Sequence, residues 1–249
     1  MEGGVIRNID TQGTAIRSHD ASANLNNGGS IEGVVRMTGG SFTNTGSGSA
    51  ESVIGADTVV ISGGTIDSVS DSSTVTVSGG VIDNVSSSST VAISSGTINS
   101  LSGANTVAIS GGTITSANGG DTVTINGGQI TNLSNAGTVT FNASSASDIS
   151  NSTTVHANSF RVGSLSGVGT INSTGASFTG ISGATHLNIA QSGSGTQTVT
   201  NVAGNLTFAG TLSIDAVGID VPEVSKDPLD LNDTITGSRL SVGGTADLT

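Results

Sequence analysis

Thr58-Val59-Val60-Ile61-Ser62-Gly63-Gly64-Thr65-Ile66-Asp67-Ser68-Val69-Ser70-Asp71-Ser72-Ser73 runs straight into Thr74-Val75-Thr76-Val77-Ser78-Gly79-Gly80-Val81-Ile82-Asp83-Asn84-Val85. The opening threonine returns every sixteen residues, at Thr90, Thr106, Thr122, Thr138, Thr154 and Thr170, without an insertion. A fixed interval of this kind marks stacked coils, none of which can bury its apolar face without its neighbours.

Counted from the threonine, four sites of the repeat look inward. Site two reads Val59, Val75, Val91, Val107, Val123, Val139, Val155, Ile171, and site four reads Ile61, Val77, Ile93, Ile109, Ile125, Phe141, Ala157, Ser173. Site nine reads Ile66, Ile82, Ile98, Ile114, Ile130, Ala146, Val162, Phe178, and site twelve Val69, Val85, Leu101, Ala117, Leu133, Ile149, Leu165, Ile181. Alternation over sites two and four, in β-branched residues, is the pattern of a half-buried strand. The step of three between sites nine and twelve demands a bend. Glycine pairs such as Gly63-Gly64 and Gly111-Gly112 supply one corner, and small polar runs such as Asp71-Ser72-Ser73 and Gly103-Ala104-Asn105 close the coil. Sixteen residues at roughly 3.3 Å each make a perimeter of about 50 Å, and coils stack at about 4.8 Å. No stretch carries a helical stripe. The expected fold is therefore all-β, a parallel β-solenoid (β-helix) with sixteen-residue rungs.

Outside the strict block the pattern loosens. Gly3-Gly4-Val5-Ile6-Arg7-Asn8-Ile9 overlays Gly79-Gly80-Val81-Ile82-Asp83-Asn84-Val85, and Gly28-Gly29-Ser30-Ile31 and Gly39-Gly40-Ser41-Phe42 read as corners followed by site nine. The rung between Met37 and Ile61 is long, with its surplus on residues 45–50 read as an inserted loop. Residues 1–185 are thus expected to form a regular solenoid, strict over 58–185. Residues 186–249 continue it irregularly, with an acidic loop at about 215–233 that holds Pro222, Pro228 and Lys226. The pattern starts mid-coil at Gly3 and stops mid-coil at Leu248, so further coils or neighbouring chains are expected at both ends.

Composition excludes several function classes. The formal charge is −12, charged residues are 10% of the chain, and no lysine or arginine lies between Arg36 and Arg161. A nucleic-acid partner is not expected, because phosphate recognition needs a basic stripe. No apolar run is long enough to span a membrane. Cysteine is absent, which stacking makes dispensable, and the Ser/Thr/Gly/Asn-rich exterior suits an exported protein.

A search for chemistry returns little. Sugar-cleaving enzymes pair acids and stack rings on aromatic platforms, yet this chain has no tryptophan and no tyrosine. Asp67 and Asp83 share site ten, a candidate carboxylate pair or weak cation site; the column continues as Asn99, Thr115 and Thr131, which favours a plain polar stack. His19, His156 and His186 do not share a register, and His156 at site three reads as solvated. No nucleophile elbow or calcium nonapeptide occurs, and the acidic run 215–233 fits no calcium-loop spacing. The expectation is no enzyme, no catalytic residue and no cofactor, with the question of a metal left open.

The rungs Thr-Val-x-Ile-Ser-Gly-Gly-Thr-Ile resemble the passenger domains of bacterial autotransporter adhesins. The closing stretch, Gly210-Thr211-Leu212-Ser213-Ile214-Asp215 and Leu240-Ser241-Val242-Gly243-Gly244-Thr245-Ala246-Asp247-Leu248, is similar to the coils before the translocator in that family. The resemblance implies a non-catalytic, extracellular structural or adhesive solenoid on the bacterial surface, meeting host-cell or surface glycan or protein. A second resemblance is to phage tail fibres and tailspikes, which implies a virion. A third, from the Thr-x-Thr pairs Thr74/Thr76, Thr122/Thr124 and Thr138/Thr140, is to the ice-binding faces of antifreeze proteins.

Overall fold

A computed structural model describes residues 2–7, 13–142, 145–158, 161–189, 198–202, 206–214, 238–242 and 246–247. Among them the chain forms 22 strands, every pair parallel, wound into a β-solenoid of about 11 turns with no helix. The sixteen-residue interval is also the register. Thr58 pairs with Thr74, Thr74 with Thr90 and Thr90 with Thr106, and the column continues unbroken to Thr170. Each site of one coil therefore lies over the same site of the next.

This register turns the four apolar sites into four buried columns. Val75, Val91 and Val107 at site two, Ile61, Ile93 and Ile109 at site four, Ile66, Ile82 and Ile98 at site nine, and Val69, Val85 and Leu101 at site twelve are all buried. β-branched residues suit the place, since one strand-compatible rotamer stacks on the next. Each such side chain stabilises the stack by about 1.5–3 kcal/mol relative to exposure.

A fifth column is also inside. Ala56, Ser72, Ser88, Ala104, Ala136, Ser152, Val168 and Ala184 occupy site fifteen and are buried. They lie in the runs that close the coil, where the chain turns tightly and the buried residues are alanine and serine except for Val168. The preceding site adopts left-handed backbone in coil after coil, even where it is not glycine: Asp71 (φ 56°), Ser87 (φ 51°), Asn135 (φ 56°) and Asn151 (φ 51°). At the other corner Gly80 (φ 75°) lies against the coil below, where a Cβ would come 2.5 Å from the Gly64 carbonyl oxygen. Glycine is required there on two counts.

The early coils depart from the expected alignment. Phe42 pairs with Leu25 and Val59, which places it at site two rather than site nine, and it is fully buried. Residues 45–50 are not a loop set apart from the coil. Ser49 and Ala50 belong to the strand Ser49–Ile54, and Ala50 is buried at site nine between Ile31 and Ile66. The surplus lies in the corner before them, four residues from Thr45 to Gly48 between the strands Ser41–Asn44 and Ser49–Ile54. Val5 and Ile6 pair with Ser30 and Ile31 as the overlay on Val81 and Ile82 requires; Ile9 is outside the described residues.

Past Thr185 the register interval widens: His186 pairs with Thr211 and Leu187 with Leu212, and Thr198 pairs with Ser238. The acidic stretch 215–233 lies outside the described residues.

Burial sets the expected response to substitution. Val107→Asp puts a charge into the shared core and should lower unfolding free energy by more than about 4 kcal/mol. Thr106→Asp, one residue away and exposed, should cost no more than about 1 kcal/mol. Urea denaturation of both variants checks the contrast.

Candidate functional site

Outside the core, several columns of the described residues form ladders of like side chains one coil apart. At site five Ser78, Ser94 and Ser110 donate their hydroxyls to the carbonyl oxygens of Ile61, Val77 and Ile93 in the coil below, at 3.3–3.5 Å. The same column then becomes amide: Asn142 Nδ2 donates to Asn126 Oδ1 at 2.8 Å, and Thr174 Oγ1 to Asn158 Oδ1 at 2.8 Å. These bonds run parallel to the backbone ladder and satisfy each side chain from its neighbour in register.

Of the candidate residues of the sequence, Asp83 and His156 join such ladders. Asp67 and Asp83 are exposed, and Asn99 Nδ2 donates to Asp83 Oδ1 at 2.6 Å while Asn84 Nδ2 reaches the Asp67 carbonyl oxygen at 3.5 Å. The register thus ties Asp83 to an amide. His156 is half-buried rather than solvated. Its Nδ1 faces Asn172 Nδ2 at 3.3 Å, and Asn188 Nδ2 donates to Asn172 Oδ1 at 2.8 Å, which makes the imidazole one rung of an amide ladder. His186 is exposed, with Nδ1 3.2 Å from Thr185 Oγ1. His19 is exposed at the opposite end of the described solenoid.

Several carboxylates accept backbone N–H groups. Asp57 Oδ2 accepts from the Gly40 N–H at 3.2 Å, and Asp148 Oδ1 from the Ser164 N–H at 3.3 Å. Asp20 Oδ1 accepts from both the backbone N–H of Ser22, at 2.9 Å, and its hydroxyl, at 2.7 Å. Those two bonds, the backbone one first, hold the Asp20 carboxyl below its ordinary range. Among the described residues no three of His, Asp and Glu come together in a metal-holding group. The threonine column stands in register, half-buried at Thr58, Thr74 and Thr90 and exposed at Thr106 and Thr122. Beside it at site three are Thr76, Ala92, Ala108 and Thr124, so paired hydroxyls alternate with methyl groups.

One polar feature lies inside. At site four of the early coils the aliphatic column gives way to Asn27 and Asn44, which are 1% and 0% exposed. Asn27 Nδ2 donates to Asn44 Oδ1 at 2.8 Å and to the Ser49 carbonyl oxygen at 3.0 Å. Asn44 Nδ2 donates to the carbonyl oxygens of Gly48 and Gly63, both at 2.8 Å, and the Gly29 N–H donates to Asn27 Oδ1 at 3.2 Å. The pair clamps the Gly-rich corners of three successive coils. Nothing in apolar periodicity signals it; the clue is asparagine at the site-four step, seventeen residues apart.

No family model matches the chain, and neither a curated protein nor a solved structure matches it.

The asparagine clamp gives a sharp stability contrast. Asn44→Ala strands two corner carbonyls and Asn27 in a dry interior and should cost about 1–3 kcal/mol. Asn142→Ala breaks an exposed rung of the same geometry and should cost less than about 1 kcal/mol. Thermal and urea unfolding of the two variants measure both.

Proposed function

We propose that the chain is a non-catalytic module exposed on a bacterial surface, where it acts as a stiff spacer and attachment surface. The observation that supports this best is the continuity of its ladders. Backbone, core and exterior columns all repeat at one register, so bending any coil breaks bonds in three layers at once. At about 4.8 Å per coil, about 11 turns span roughly 50 Å in a narrow rod. The polar, sparsely charged exterior suits a body that stands in solvent and meets a partner by contact rather than by chemistry.

At site ten Asp83 is engaged by Asn99 of the next coil, and Asp67 and Asp83 have no basic or aromatic neighbour at that site in adjacent coils. That arrangement supports reading them as structural.

A surface-display assay tests the proposal. The chain, fused to an outer-membrane anchor on a non-adherent bacterium, should raise attachment to host cells or to glycan-coated surfaces several-fold over the anchor alone. Polysaccharide turnover that persists through purification and disappears in Asp67→Ala or Asp83→Ala would replace the proposal with an enzyme.

The in-register threonine column favours a second reading, ice binding. It expects ice recrystallisation inhibition that bulky replacements of Thr74, Thr76, Thr122 and Thr124 abolish; no inhibition by the unmodified chain removes it.

A further inference from the structure

Site five stands immediately before the glycine corner, as in Ser62-Gly63, Ser78-Gly79 and Ser110-Gly111. Where the column changes from serine to asparagine, one coil combines a carboxamide with the corner glycine, in Asn126-Gly127; the next reads Asn142-Ala143. An Asn-Gly pair can react with itself. The glycine nitrogen closes a five-membered ring on the carboxamide carbon, and without a Cβ nothing shields that nitrogen. Two further Asn-Gly pairs occur, Asn27-Gly28 and Asn118-Gly119, and the fold treats the three differently.

Asn27 is locked. It is 1% exposed, its Nδ2 donates to Asn44 Oδ1 and to the Ser49 carbonyl oxygen, and its Oδ1 accepts from the Gly29 N–H. Asn118 is exposed at the end of the strand Thr113–Asn118, but the nitrogen that would attack is engaged: the Gly119 N–H donates to the Ser134 carbonyl oxygen at 2.9 Å. Asn126 is exposed and lies just past the strand Thr122–Ile125, in the bend. The ladder bonds on either side come from the Asn126 N–H, to the Ile109 carbonyl oxygen at 2.7 Å, and from the Gln129 N–H, to that of Gly112 at 3.0 Å. Between them the Gly127 N–H donates to no acceptor among the described residues.

The amide ladder adds a donor at the reacting group. Asn142 Nδ2 donates to Asn126 Oδ1 at 2.8 Å, and that oxygen is where negative charge develops when nitrogen attacks the carboxamide carbon. Asn158 Nδ2 reaches Asn142 Oδ1 at 3.4 Å, and Thr174 Oγ1 donates to Asn158 Oδ1 at 2.8 Å, so the donating amide is itself polarised by the coils beyond it.

We infer that Asn126-Gly127 is a site of self-modification, closing to a succinimide and opening to aspartate or isoaspartate, with Asn142 holding the developing oxyanion. Solvent base takes the Gly127 amide proton, the nitrogen bonds to Asn126 Cγ, and the Cγ–Nδ2 bond breaks with loss of ammonia. Water then adds to either ring carbonyl. Nothing is oxidised or reduced, and the event happens once per chain. Opening at the side-chain carbonyl puts a carboxylate into site five, a column without charge from Ser62 to Thr174. Opening at the main-chain carbonyl adds a methylene to the backbone at a corner so close-packed that a Cβ on Gly127 would come 2.5 Å from the Ser110 carbonyl oxygen. Either product alters the solenoid face with time, and the inference is independent of the attachment role.

The test is incubation of the full chain at mildly alkaline pH, folded and in guanidinium chloride, followed by peptide-mapping mass spectrometry and enzymatic methylation of isoaspartate. Unfolded, the three Asn-Gly pairs should react at similar rates. Folded, Asn126 should react well ahead of Asn118 while Asn27 stays intact, and its rate should rise with pH. Asn142→Ala should slow Asn126 by about fivefold, the worth of one hydrogen bond. A merely structural Asn142 acts in the opposite sense, because freeing Asn126 loosens the corner and speeds ring closure. Asn126→Ser, which restores the residue of the earlier coils, should abolish this product and leave thermal unfolding unchanged. An Asn126 that stays intact in the folded chain, or reacts no faster than Asn118, overturns the inference. An equal or faster rate in Asn142→Ala overturns the part assigned to Asn142.

Discussion

The stacking of identical aliphatic sites along one parallel register underlies everything else in this protein. A single coil is too narrow to bury Val107 or Ile109; each needs its equivalents above and below, at Val91 and Val123 or Ile93 and Ile125. The hydrophobic effect acts here between repeats rather than within them. Register follows from the same contacts. A slip of one residue would put Thr76 where Val75 belongs and carry every column from core to solvent. Strict sixteen-residue spacing is the sequence's means of preventing that slip, and the polar ladders of sites three and five reinforce it from outside.

Where the aliphatic column ends, the register is held by different chemistry. Asn27 and Asn44 occupy site four with hydrogen bonds to one another and to carbonyl oxygens of neighbouring corners. A buried amide is tolerated only when its donors are met. The same coils have the longer corner of residues 45–48. The chain's departures from its own repeat are concentrated there, where the corners require specific hydrogen bonds. The uniform block after Ser70 reads as scaffold, and these early coils as the place where the scaffold is adapted.

The fold was legible because valine and isoleucine contrast so strongly with serine and glycine. Sites two, four, nine and twelve could be read by type alone. Site fifteen could not, since Ser72, Ser88 and Ala104 look like the turn residues around them; only their return at the same interval marks them as interior. Phe42 was misplaced because Gly39-Gly40-Ser41-Phe42 imitates Gly79-Gly80-Val81-Ile82, although its pairing with Val59 puts it at site two. His156 was read as solvated because a single column entry does not reveal that Asn172 and Asn188 continue it as an amide ladder.

A distance ruler along the coil axis tests the central claim most directly, and the absence of native cysteine makes it clean. Spin labels on Ser73→Cys/Thr153→Cys and on Ser73→Cys/Thr185→Cys report exposed equivalent sites five and seven coils apart. Stacking in one register predicts narrow distance distributions near 24 Å and 34 Å, about 4.8 Å for each sixteen residues. Broad distributions, or a second distance no longer than the first, would contradict a continuous in-register solenoid.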